Sequence, residues 1–129
     1  MMKVKIVRVQ PEPEAVSVTF SCCCGEGAGR WVGAPPNPGA EYFVEFDSDD
    51  QLRIGENARI LDIPLQRVAL ANAGMEICGI LDAVSEEETG RFRFGDGVIE
   101  LDLADMTRWK VGQAYELQLR SLSLFDQNL

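Results

Sequence analysis

The residues with the most chemical potential are four cysteines, Cys22, Cys23, Cys24 and Cys78. Three are consecutive and lead into Gly25-Glu26-Gly27-Ala28-Gly29-Arg30. A closed zinc site takes four ligands, usually from paired Cys or His spacings. Here the cysteines are adjacent, the fourth is far along the chain, and histidine is absent. Cys22, Cys24 and Cys78 with a carboxylate is the one four-ligand combination at hand. The expectation is instead that small thiols fill the end of a core, with no metal. A reactive thiolate needs a cationic neighbour or a helix N-terminus, and the nearest base, Arg30, lies across the glycines. All four remain candidate thiols, with Cys23 the one expected to be exposed.

Other patterns fail on spacing. The glycine stretch has neither Gly-x-Gly-x-x-Gly nor a Gly-Lys-Ser/Thr ending, and Glu26 would oppose a phosphate. Asp47-Ser48-Asp49-Asp50 resembles half a calcium loop, but Leu52 stands where glycine is required and Ala58 where glutamate is required. Glu100 and Asp102 share the polar side of a strand, which is the pattern of solvent exposure rather than of a catalytic pair. Without histidine the commonest general base and metal ligand are missing. Lys3, Lys5 and Lys110 are the only lysines. The expectation is no enzyme and no cofactor.

Nucleic-acid binding needs bases interleaved with aromatic rings. Arg91-Phe92-Arg93-Phe94, Arg30-Trp31 and Arg108-Trp109-Lys110 are the segments of that kind. They define a candidate binding surface of Trp31, Arg91, Arg93 and Trp109. In a strand, however, Arg91 and Arg93 face away from Phe92 and Phe94. The net charge of -9, from 12 basic and 21 acidic residues spread over both halves, repels phosphate backbones and anionic lipid. It suits a basic protein partner.

The elements that would position these residues are strands. Val16, Val18, Phe20, Cys22 and Cys24 alternate with Ser17, Thr19, Ser21 and Cys23, which predicts a strand with Cys22 and Cys24 inward and Cys23 outward. Residues 25–40 hold five of the 12 glycines and three of the six prolines and read as a flexible loop. Residues 4–9 and 41–47 read as strands, the latter with Tyr42, Val44 and Phe46 on one face. Residues 62–74 read as one short helix, capped by Asp62, with Pro64 in the first turn and Gly74 as the stop, although Leu61, Ile63 and Leu65 also alternate. Arg91–Phe94, Gly95-Asp96-Gly97 and Val98–Leu103 form a hairpin signal with Phe92, Phe94, Ile99, Leu101 and Leu103 inward. The last strand switches its apolar face near Arg120-Ser121, which predicts a bulge.

The fold expectation is therefore all-β, mainly antiparallel, with one short helix: a small closed or partly open barrel filling residues 1–129 as one domain. In element order, the Gly-Asp-Gly hairpin and the Val111-Gly112-Gln113 step into the last strand, it resembles an OB-fold. Hydrophobic residues make up 46% of the chain, enough for a core, and no apolar run approaches the roughly 18–20 residues of a membrane helix. The start, Met1-Met2-Lys3-Val4-Lys5-Ile6, has no signal-peptide core, so the expectation is cytoplasmic, with reduced thiols and no membrane contact. The functional expectation is a non-enzymatic acidic domain acting through protein–protein contact, as monomer or homodimer. A bacterial immunity or inhibitor protein is its concrete form. The contrasting reading is an OB-like barrel for single-stranded nucleic acid or a small ligand.

Overall fold

The computed structural model describes residues 1–72 and 74–127. It contains twelve strands: β1 Met2–Pro11, β2 Val16–Cys22, β3 Gly25–Val32, β4 Glu41–Asp47, β5 Gln51–Leu52, β6 Ala58–Leu61, β7 Arg67–Ala71, β8 Gly74–Val84, β9 Thr89–Phe94, β10 Gly97–Leu103, β11 Ala114–Leu119 and β12 Ser123–Asp126. A 3₁₀ turn at Met106–Arg108 is the one helical element among the described residues. No described helix is long and apolar enough to cross a membrane.

Five strands close a barrel. β1 pairs with β2 and β4, β2 with β3, and β4 with β12, all antiparallel. The seam is a parallel pairing of β12 with β3, Leu124 opposite Trp31. Closure leaves none of the five as a free sheet edge. A second sheet runs β6-β11-β8-β9-β10-β5. A bridge between Ile54 and Ala58 brings its two ends together. β7 joins the sheets, antiparallel to β8 and touching β3 where Val68 stands opposite Gly25.

Alternation builds one continuous core across the barrel and the second sheet. Met2, Val4 and Ile6 of β1, Val18 and Phe20 of β2, and Val44 and Phe46 of β4 are buried. Phe46 lies between Phe20 and Phe94, with ring centroids at 5.8 and 5.6 Å, so a β9 side chain of the second sheet packs on the barrel's aromatics. At the other end of this core Trp109, Tyr115 and Phe92 pack ring against ring.

Two expectations are corrected. The Gly-rich segment is not a flexible loop over 25–40, because its first half is β3. Gly27 faces inward, and a Cβ there would stand 2.6 Å from both Met75 Cε and Phe20 Cζ. At Gly29 a Cβ would come 2.7 Å from the Leu122 carbonyl oxygen and from Leu124 Cδ1. The glycines are where neighbouring side chains and β12 approach the strand closely, a positional use of glycine in sheets. Only 33–40 is a connection. Trp31 Nε1 donates to the Ala34 carbonyl, and Tyr42 Oη accepts from the Asn37 N–H.

The described residues of 62–74 hold no helix. They carry β7 and the turn into β8, Ala73 lying outside the described residues. The Val68 N–H donates to the Cys24 carbonyl at 2.9 Å. Pairing on both sides outweighs a helical pattern that rested on Leu65, Val68 and Ala69 alone. The face switch near Arg120 is real, but its cause is not a bulge: the chain leaves the second sheet there and enters the barrel. Asp50 Oδ2 accepts from the N–H groups of Arg120 and Ser121 at 2.9 and 3.1 Å, so part of the acidic run serves this crossing.

Candidate functional site

The cysteines occupy two separate settings, and all four are free thiols. Cys22 ends β2 opposite Gly25, so Cys23 and Cys24 are the two-residue turn of the β2–β3 hairpin rather than more strand. Cys23 is exposed, while Cys22 and Cys24 are half-buried against the core. Cys78 is buried on β8, opposite Arg67 of β7 on one side and Glu116 of β11 on the other.

Cys78 belongs to a polar network. Its Sγ and one carboxylate oxygen each of Glu76 and Glu116 lie within 4.8 Å of one another. Arg59 pairs with Glu116, and Arg67 donates to Glu76 from Nε at 3.1 Å. Burial, then the nearby Glu76 charge, pushes the Cys78 thiol up to about 11. It stays protonated near neutrality and is no thiolate nucleophile. The Arg59 hydrogen bond holds Glu116 below the usual carboxylate range. Two carboxylates and two guanidiniums balance, so a metal ion would have to displace an arginine already in place. The network pairs two largely covered carboxylates with arginines that reach into solvent. Nothing in the sequence singled out this group, because it depends on the β8–β11 register.

The functional reading centres on a recess of ≈ 530 Å³ between the barrel and the second sheet. From β4 come Glu45, Phe46 and Asp47, from β12 Phe125, from β10 Val98 and Glu100, from β9 Arg91, and Met1 closes one side. Strand alternation explains who points in. Val44 and Phe46 go to the core, which turns Glu45 and Asp47 outward. Ile99 and Leu101 are buried, which turns Glu100 outward opposite Arg91. A second recess of ≈ 300 Å³ shares Arg91 and Glu100 and adds Val84 and Glu87. The two form one concave strip with Arg91 as the cation among its lining residues. Its apolar surface comes from Met1, Val98, Val84 and Phe125, the last 38% exposed.

Of the candidate binding surface Trp31, Arg91, Arg93 and Trp109, only Arg91 lies in this strip, beside Asp47 and Glu100 from the acidic patterns. Arg93 is half-buried, opposite Val98 on β10 and Ile80 on β8. Trp31 and Trp109 correct an expectation: both are buried, at 4% and 7% exposure, with their Nε1 groups bonded to the Ala34 and Ala104 carbonyls. Sealed and satisfied rings offer no stacking face. Glu45, Asp47 and Phe125 were missed as site residues. Compared with protein-family models, curated proteins and solved structures, the chain matches none.

Proposed function

We propose that this protein is a non-enzymatic acidic binding domain that receives a basic, partly apolar segment of another protein in the strip between its two sheets. The observation that supports this is the lining itself: Glu45, Asp47, Glu87 and Glu100 against Arg91, with Phe125 and Val98 as apolar anchors. Carboxylates around a concave apolar surface favour Lys or Arg side chains with hydrophobic neighbours, and the net charge of -9 speeds their approach. An immunity or inhibitor protein that masks a basic toxin is one form of this reading, which a toxin-like reading frame beside the gene would support.

The barrel also reads as OB-type, since its third strand in chain order closes in parallel on the last while the fourth returns beside the first. That topology favours the alternative of single-stranded nucleic acid. Buried Trp31, Phe92, Phe94 and Trp109 and the strongly negative charge weigh against it. The test is titration with a fluorescent peptide alternating Lys/Arg with Leu, and with an oligothymidine of similar length, at about 50 and 200 mM salt. Saturable peptide binding that weakens with salt supports the proposal. Peptide silence with oligothymidine binding overturns it.

A further inference from the structure

We propose that the adjacent thiols of Cys23 and Cys24 bind a soft, low-coordinate cation of the Cu(I) class at the tip of the β2–β3 hairpin. The two Sγ atoms lie 3.7 Å apart. With metal–sulfur bonds of about 2.3 Å a cation between them subtends roughly 107°, so the sulfurs must part by a few tenths of an ångström to reach the trigonal angle of low-coordinate Cu(I). Cys23 is exposed, so a cation can enter from solvent.

The turn is held in place from outside. The Val68 N–H binds the Cys24 carbonyl, and the Gly95 N–H binds Gln66 Oε1 at 2.7 Å. Gly95, at φ 60°, turns its bare Cα towards the thiols. A Cβ there would stand 2.6 Å from each Sγ and 3.5 Å from Met2 Cε. The sulfur pair therefore sits in a small pocket bordered by glycine and by a thioether side chain.

The donor set decides the cation. Soft thiolate ligands select Cu(I), whereas zinc in a structural site takes four ligands. Glu76, Cys78 and Glu116 are the described trio of Cys and carboxylate ligand atoms this close together, so no carboxylate joins Cys23 and Cys24 at that range. Histidine is absent.

On binding, two S–H bonds break, two Cu–S bonds form, two protons pass to the buffer and copper keeps its oxidation state. Each Cu–S bond displaces a thiol proton, so affinity falls as pH falls.

The experiment is an anaerobic titration of the fully reduced chain with Cu(I) against bicinchoninate, followed by loss of the chelate colour. One Cu(I) per chain is expected for the wild type and for Cys22→Ser and Cys78→Ser. Cys23→Ser and Cys24→Ser should each weaken binding by about tenfold or more, with unchanged far-UV circular dichroism. If Cys24→Ser fails to fold, Cys23→Ser, altered at an exposed side chain, carries the test. Wild-type affinity in Cys23→Ser, or equally tight 1:1 binding of Zn(II), overturns the proposal.

Discussion

Gly27→Val separates two physical pictures of the glycine-rich segment by the sign of its effect. In a flexible loop, replacing glycine restricts the unfolded chain and stabilises the fold by roughly 0.4–1 kcal/mol. In β3 the new Cβ would stand 2.6 Å from Met75 Cε and from Phe20 Cζ. Comfortable carbon–carbon contact is about 3.5–4.0 Å, so both neighbours must give by roughly 1 Å, and Val adds two more carbons. Met75 borders a recess its flexible end can enter, but Phe20 is wholly buried against Phe46, so its ring is the contact that resists. Overpacking of this kind costs about 1–3 kcal/mol, opposed by a strand preference for Val of at most about 1 kcal/mol. Urea denaturation should show a lower midpoint with an unchanged slope. Glu26→Val, one residue earlier on the exposed face, should stay within about 0.5 kcal/mol of wild type. An unchanged or raised midpoint for Gly27→Val would refute the packing argument.

Acid sensitivity should follow the Arg59–Glu116 pair. The folded-state pKa of Glu116 is depressed, so its contribution is present above about pH 4.3, the unfolded value, and is lost as pH falls below it. Denaturation midpoints between about pH 7 and 3 should therefore drop less in Arg59→Met than in wild type. Iodoacetamide at neutral pH should label exposed Cys23 first and buried Cys78 last, read by peptide mass spectrometry; early labelling of Cys78 would contradict its place on β8. Trp31 and Trp109 should emit at short wavelength and resist iodide quenching, because both indoles are buried.

Strands whose own residues set the pattern were readable. β2 alternates Val16, Val18 and Phe20 against Ser17 and Thr19. The β9–β10 hairpin follows from Phe92 and Phe94, the Gly95-Asp96 turn, and Ile99, Leu101 and Leu103, all five apolar side chains being buried. β3 was not readable, because its glycines take their meaning from Phe20 and Met75 on other strands. β7 is five residues long and apolar at four of them, too short and too uniform to tell a period of two from one of 3.6. The outward turn of Glu100 and Asp102 was visible in the alternation. That Glu100 shares a recess with Glu45 and Phe125 was not, since it depends on how β4 and β12 lie against the second sheet. The tryptophans misled because a base beside an aromatic ring reads the same whether the ring is exposed or sealed.

The proposed docking depends on the strip itself rather than on net charge alone. Fluorescence anisotropy of the Lys/Arg–Leu peptide should be compared across wild type, Glu45→Lys/Glu100→Lys in the recess and Glu14→Lys/Glu26→Lys on exposed surface elsewhere. The two double variants change net charge equally. Affinity should fall by about tenfold or more in the recess variant and far less in the control. Equal loss in both would contradict the account.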